Sequence, residues 1–560
     1  MKMYDCVPGL EFDESLDFEV SPAWFLDATH SVPPWTPMFG WFWINFCRHG
    51  MQYGAEKLSL PTVKGWDWRF KDGGAYLALL IVKDPEEKKA REERFKVAIM
   101  PFIQDFTGMW KGFITEIVGK YDKLKIDLDA ASNIEILENF EGTINVCRRM
   151  WEIHMYMMYG VYTAFVLFEQ MAKQLLNIDD TSPQFHKLTS GFDNKSFQVD
   201  KGLFDLAKKA VDFGLKDVFA STAASDMRNG LKSSQNGQEF LKAFDDFMDK
   251  EAGWRLERMA EINVPTWAED PTPAFNVIKM ALDKNINFNL EEERKKNEIA
   301  RLAAEKEVME KIAPEQRGWF KTILTLAQNC AWFSEEHNHY LDLYGHAMVR
   351  RSVVGVGKRF AKLGTIENAD DIFFLMPDEV RKACINPDMF NLRPVVDRRK
   401  AEWQSWTAKD NPPAFMKEGF TFEDAMGGLV GSLDPIALKV VVGTMPVARP
   451  ELKADLYGVC GSPGVSEGIV KVIWKEEELS KIQKGDILVA PTTSPSWTPV
   501  FSLLAGVVVD RGASLSHAAI VGREFGIPVV MNTFEGSKML KDGMKIRVDA
   551  NMGAVYILDK

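Results

Sequence analysis

Over residues 86–380 apolar side chains recur every three or four positions in long stretches, the spacing of amphipathic helices. The most apolar of these predicted helices covers 145–176. Its uncharged run 155–168 falls short of the about 20 residues that cross a bilayer, so it reads as a buried helix. The helix predicted over 290–312 is its opposite. There Glu291, Glu292, Glu293, Arg294, Lys295 and Lys296 set opposite charges at helical spacing, the mark of a solvated face. Ahead of the helical region, 20–80 is rich in Pro, Gly and Trp. The run Pro33-Pro34-Trp35-Thr36-Pro37-Met38-Phe39-Gly40-Trp41-Phe42-Trp43 cannot begin as a regular helix, because its prolines break the ladder. It reads as a loop leading into an aromatic helix. The pairs Gly73-Gly74 and Gly427-Gly428 read as turns.

Between 410 and 453 the helical period decays. Pro412, Pro413, Pro435, Pro446 and Pro450 lie among glycines there, as expected of a linker. After Gly458 the period shortens. The runs 468–475, 486–490, 506–510, 528–531, 544–548 and 554–558 are short and β-branched, with Gly, Pro and Asp turns between them, and one amphipathic helix fits 518–525. The pattern predicts a multidomain chain: a large, mostly α-helical domain over 1–440, a linker over 441–457, and a small α/β domain over 458–560.

Composition narrows the function. A length of 560 residues allows roughly three to five domains and several cores. Hydrophobic residues at 46% and charged residues at 26% exclude a wholly disordered chain. The 68 basic and 80 acidic residues leave a net charge of −12, which argues against a nucleic-acid binder and favours a cytoplasmic protein. The opening residues lack a basic stretch followed by an apolar run, so neither a signal peptide nor a membrane association is expected. Six cysteines without a C-x-x-C pair suggest buried, reduced thiols rather than a zinc site or disulfides. Aromatics are abundant: 16 Trp, 37 Phe and 11 Tyr, joined by 26 Met. Such side chains build large apolar walls, and an apolar ligand pocket is expected. Trp35, Phe39, Trp43, Tyr156 and Tyr159 are the candidate walls for an aromatic ring.

The most informative segment is Val507-Val508-Val509-Asp510-Arg511-Gly512-Ala513-Ser514-Leu515-Ser516-His517-Ala518-Ala519-Ile520-Val521-Gly522-Arg523-Glu524-Phe525-Gly526-Ile527-Pro528. It reads as a buried strand, a small-residue loop, a histidine, and a helix of small and apolar residues. His517 falls at the helix N-terminus, where free N–H groups and the dipole favour an anion. A neutral imidazole there is suited to carry a phosphoryl group, with the Ser514 and Ser516 hydroxyls available to its oxygens.

From Gly512 to Pro528 the segment resembles the phosphohistidine signature of the PEP-utilising enzymes, such as PEP synthase and pyruvate phosphate dikinase. Leu515 stands where Thr or Asn is usual, and Gly522 where Ala or Ser is usual. Gly461-Ser462-Pro463-Gly464-Val465-Ser466-Glu467-Gly468 resembles the opening of the same swivelling domain. Thr492-Thr493-Ser494-Pro495-Ser496-Trp497-Thr498-Pro499-Val500-Phe501 resembles its middle loop. The helical region is similar to the substrate domain of rifampicin phosphotransferases and, more nearly, to the phosphohistidine-bearing subunit of phenylphosphate synthases. Trp24-Phe25-Leu26-Asp27-Ala28-Thr29-His30, Gly253-Trp254-Arg255 through Pro271, and Asp370-Asp371-Ile372-Phe373-Phe374-Leu375 carry that likeness.

The resemblance implies a small swivelling phosphohistidine domain over 458–560. It also implies a split dikinase, because no Gly-rich phosphate loop precedes the histidine domain and no PEP barrel is expected after it. A separate ATP-grasp subunit would bind ATP and Mg²⁺, and this chain alone would hold no cofactor and no metal. The acceptor would be a small phenol, with an antibiotic of the rifampicin kind or another alcohol, or a phosphocarrier role, as the alternatives.

The acceptor's base and the phosphate clamp are then expected in the helical domain. The densest polar cluster is Glu335-Glu336-His337-Asn338-His339-Tyr340, followed by His346, Arg350 and Arg351. At helical spacing Glu335 and His339, and His346 and Arg350, share faces. A solvated helix surface is the competing reading. Candidate bases are His337, His30, His154 and Glu336, with His339 also open. Arg255 and Arg350 are the candidate phosphate ligands.

Overall fold

The structure is a computed structural model of the chain. It describes residues 12, 15–18, 21, 23–180, 182–283, 289–407, 412–417, 419–421, 424, 428, 433, 450–474, 476–493, 497–512 and 516–559. The chain forms two compact units. One comprises Met1–Val161, Arg258–Pro265 and Tyr340–Leu438; the other comprises Tyr162–Glu257, Thr266–His339 and Lys439–Lys560. Of the expected linker, 441–449 lies outside the described residues.

The first unit holds an antiparallel sheet of strands β1 (Phe25–Leu26), β2 (Val63–Lys71) and β3 (Gly74–Ile81), in the order β1-β3-β2. The β2–β3 hairpin is absent from the sequence reading. Nearly every residue of β3 is buried, so the run lacks the alternation that marks a half-exposed strand. Its turn is the one expected at Gly73-Gly74: Asp72 and Gly73 have φ of 49° and 86°, the pair of left-handed residues that a two-residue hairpin favours. Gly427 lies outside the described residues.

The aromatic helix is where the sequence places it. Pro37–Phe42 is helical and wholly buried, and it runs through a wider turn, Trp43–Cys47, into Arg48–Leu58. A buried pair of arginines ties that helix to β2, with Arg48 Nε 2.6 Å and Arg69 Nη1 2.5 Å from Asp67 Oδ1. The predicted helix 145–176 is the larger part of Asn133–Leu176. Among the described residues no helix is long and apolar enough to cross a membrane.

In the second unit the helices Lys195–Asp212, Gln235–Phe247 and Thr272–Asp283 build a core from Leu203, Leu206, Phe240, Phe244, Phe275 and Ile278. The charged helix Leu290–Lys311 closes its expected pairs on itself, for example Lys296 on Glu293 at 2.6 Å.

Residues 456–557 form an eight-stranded sheet: β4 (Leu456–Tyr457), β5 (Val459–Ser462), β6 (Val465–Val472), β7 (Ile487–Ala490), β8 (Gly506–Val509), β9 (Val529–Met531), β10 (Lys545–Asp549) and β11 (Ala554–Ile557), in the order β4-β11-β10-β6-β7-β8-β9-β5. Strands β6, β7, β8 and β9 are parallel neighbours. Alternate residues feed two cores. Leu488, Ala490, Val507, Val509, Val529 and Met531 face one, whereas Ile487, Val489, Val508 and Val530 face the other. Burial on both faces is why these runs are apolar throughout. The helix His517–Phe525 covers the first face through Ala518, Ala519 and Val521. The free cysteines Cys47, Cys147, Cys330, Cys384 and Cys460 are all buried, as expected of reduced core thiols; Cys6 lies outside the described residues.

Candidate active site

Strands β7 and β8 are adjacent and parallel, so the loops leaving their C-terminal ends meet. The loop after β7 brings Thr493 and Thr498; the loop after β8 ends at His517, the first residue of its helix. Thr493 Oγ1 lies 2.9 Å from His517 Nδ1, and Thr498 Oγ1 lies 3.2 Å from Nε2. Phe501 meets the ring edge-on, with centroids 6.0 Å apart. Burial, and after it the positive charge of Arg255, push the imidazole pKa down to about 3. His517 is therefore neutral at physiological pH, the state a nitrogen nucleophile requires.

Arg255 reaches this site from the helical part of the same unit. It is buried, lies 3.3 Å from Asp200 Oδ1, and covers the Trp267 ring at 5.1 Å. Asp200 also accepts a hydrogen bond from the Thr498 side chain; burial raises its pKa to about 6 against both partners. The same charges act on the predicted polar cluster. His339 is pushed down to about 3 by burial, then by Arg255 and Lys195. Burial raises Glu335 to about 7, with the Ser196 hydroxyl and Arg255 opposing and Asp200 and Glu524 adding to it.

Glu335, Glu336, His337 and His339 are all buried, so this stretch is not a solvated face. The α-helix ends at His337, and Asn338–Tyr344 continues as a π-helix. The four-residue spacing inferred for Glu335 and His339 does not carry across that change of period. Glu336 Oε1 accepts the Lys195 N–H at 2.7 Å. His337 Nδ1 lies 2.9 Å from the Phe333 carbonyl, and its ring stacks on Phe333. Of the two candidate serines, Ser514 lies outside the described residues. Ser516 is the N-cap residue, yet its hydroxyl donates to Met531 Sδ at 3.3 Å rather than capping the helix. Gly522 has a packing cause: a Cβ there would lie 2.3 Å from Val529 Cγ2.

The first unit gathers a second cluster. The Asp27 side chain caps the turn Ala28–Ser31 and lies 2.8 Å from His30 Nδ1. Desolvation works against a charged His30, but Asp27, and behind it Asp342, raise its pKa overall. His154 Nδ1 lies 3.6 Å from Asp342 Oδ1. Burial raises Asp342 to about 7 against the charge of His30. Indoles wall the cluster. The Trp43 ring lies 5.1 Å from His30 and 5.1 Å from Trp151, and Trp151 stacks on His154 at 4.8 Å. Trp35 and Phe39 pack on Trp43. His30 is about a third exposed, whereas His154 is buried.

Of the other candidates in that unit, His346 packs on the same aromatic group, with ring centroids 5.3 Å from Phe39 and 6.1 Å from Trp43 and Trp151. Tyr156 packs on Phe102 and Phe113, and burial and Cys47 raise the pKa of Tyr159. His346 and Arg350 do share a helix face, and both hold the segment Arg258–Pro265. His346 Nδ1 lies 2.8 Å from the Met259 carbonyl, and Arg350 Nη1 donates to the Ile262 carbonyl at 2.8 Å.

Asp200, Thr493, Thr498, Asp27 and Asp342 received no role from sequence. For Thr493 and Thr498 the signal was the middle-loop motif, and for Asp27 its position three residues before His30. Asp200 and Asp342 had none.

Residues 152–335 match the family model described as the rifampicin phosphotransferase fourth domain, and residues 482–553 match the PEP-utilising enzyme mobile domain. The chain is 25% identical over 96% of its length to chondramide synthase cmdD of Chondromyces crocatus, and spans 14% of that protein. It is 26% identical over 61% of its length to rifampicin phosphotransferase of Streptomyces sviceus, spanning 37% of it. Over 106 residues, 19% of the chain and 14% of the relative, it is 47% identical to a probable phosphoenolpyruvate synthase of Archaeoglobus fulgidus. The chain thus covers less than half the length of each of these relatives.

Proposed function

For a chain of the PEP-utilising enzyme family, with rifampicin phosphotransferase and PEP synthase homologues, we propose that His517 carries a phosphoryl group and delivers it to the hydroxyl of a small phenol, giving an aryl phosphate. The observation that carries this reading is the neutral His517, set at a helix N-terminus between two hydroxyls with a buried arginine beside it. ATP and Mg²⁺ belong to a separate ATP-grasp subunit, and overall ATP, phenol and water become AMP, aryl phosphate and phosphate. His517 takes the β-phosphoryl there, and the domain carrying it swivels to the acceptor.

At the acceptor the P–N bond breaks as the phenolic oxygen attacks, so the phenol must lose its proton. His30 is suited to take it, since Asp27 holds Nδ1 and leaves Nε2 as the basic nitrogen. The indoles of Trp43 and Trp151 supply the apolar wall for an aromatic ring. On its own unit, Arg255 offers a positive charge to the phosphoryl group that His517 carries.

The test is incubation of the chain with radiolabelled ATP and an ATP-grasp partner. Acid-labile, base-stable phosphate on the wild type and none on His517→Ala is expected; label retained by His517→Ala would defeat the reading. The match of residues 152–335 to the rifampicin phosphotransferase domain favours one alternative acceptor, a bulky hydroxylated antibiotic. Turnover of such a compound with phenol inert would replace the phenol reading and leave His517 in place.

A further inference from the structure

A hydroxyl carries one hydrogen, and Thr498 has already committed its own. Asp200, 4% exposed and 3.3 Å from the Arg255 guanidinium, accepts the Thr498 hydrogen bond as a carboxylate. Thr498 Oγ1, 3.2 Å from His517 Nε2, can then meet that nitrogen only as an acceptor, so Nε2 bears the ring hydrogen. On the opposite side Nδ1 is left with its lone pair, and Thr493 Oγ1 donates to it across 2.9 Å. Both nitrogens of the ring are engaged, and the direction of every bond follows from one carboxylate.

We infer that Asp200 is a positioning residue for the phosphohistidine: acting through Thr498 it holds His517 as the Nε2–H tautomer, a protected state in which Nε2 offers no lone pair to phosphorus. Nδ1 offers one only by giving up Thr493. Loading at Nε2 requires the ring hydrogen to move to Nδ1, by exchange with solvent, with Thr493 turning to accept it and Thr498 withdrawing so that the Nε2 lone pair is free for phosphorus. No proton is gained or lost overall. Because Asp200 and Arg255 belong to the helical part of the unit, the imidazole is guarded where it meets them and is released on leaving them. The effect on loading rests on the proposed phosphohistidine role; the tautomer does not.

The experiment uses the full chain labelled with 15N-histidine and reads the two-bond 1H–15N pattern of His517, assigned by its loss in His517→Gln. Wild type is expected as Nε2–H. In Asp200→Asn the amide NH₂ donates to Thr498, which then donates to Nε2, and the pattern should switch to Nδ1–H. Thr498→Ser should keep the wild-type pattern, and Thr498→Val should mix the two. Thr498→Val also supplies the test should Asp200→Asn fail to fold. An Nδ1–H wild type, a pattern unchanged in a folded Asp200→Asn, or, should that variant fail to fold, one unchanged in Thr498→Val, would overturn the inference. With ATP and partner, Asp200→Asn should be labelled about two- to tenfold faster than wild type, the factor one net hydrogen bond sets. A wild type that takes label with an Asp200→Asn tautomer that does not move removes the role of Asp200 alone. A tautomer that moves in a chain that never takes acid-labile phosphate removes the phosphohistidine reading and upholds the tautomer assignment.

Discussion

His30 and His517 sit in different units and are tuned in opposite directions. His30 has the Asp27 carboxylate 2.8 Å from Nδ1 and a raised pKa. His517 has two neutral hydroxyls and the cation of Arg255, and its pKa falls to about 3. Desolvation disfavours the charged form of both, so the sign of the nearest charge decides the difference. A base has to hold a proton part of the time; a nitrogen that carries phosphorus has to stay neutral. On the proposed reading one residue type serves both roles because its neighbours are exchanged.

The contrast can be broken first at its larger end. His517→Ala should abolish both acid-labile phosphate and aryl phosphate formation, whereas His30→Gln should leave the phosphate on His517 and slow its transfer by about 10³-fold, within the range of a lost general base. Separate assays of loading and transfer check this, and equal loss in both assays would remove the division of labour. The pH profiles should diverge as well. Transfer should fall as pH drops through the raised pKa of His30, because the protonated ring cannot accept the phenolic proton, and Asp27→Asn should move that limb to lower pH. Loading, governed by a ring that stays neutral down to about 3, should show no such limb from His517.

Arg255→Gln should raise the His517 pKa, which NMR titration reads. The smallest effect belongs to packing. Gly522→Ala should lower stability by about 1–3 kcal/mol in thermal unfolding, because Val529 must yield to the new methyl group.

Legibility differed along the chain for physical reasons. The runs 486–490, 506–510 and 528–531 were readable as strands because β7, β8 and β9 are short, β-branched and bounded by turn residues. The run Ala75–Leu80 is just as apolar, but without alternation or β-branched residues it carries no strand signature. The cluster from Glu335 to Arg351 was visible as a concentration of polar residues, yet its geometry was not, because the π-helix Asn338–Tyr344 shifts the period between its two halves. His30 and Asp27 could be paired from spacing alone. His154 and Asp342 could not, since 188 positions separate them in the chain while 3.6 Å separates their side chains.

Local order set where His517 stands. An apolar strand, a loop of small residues and a helix-forming run put an imidazole at a helix N-terminus, and only near neighbours in the chain are needed for that. What the imidazole does there was decided by the folded chain. Thr493 and Thr498 arrive because two parallel strands end side by side, whereas Asp200 comes from a helix and Arg255 from the turn after Met248–Ala252, both more than 250 residues before His517 in the sequence. Hydrogen-bond direction and pKa depend on charges and burial within a few ångströms, and those distances come into being only when remote segments pack.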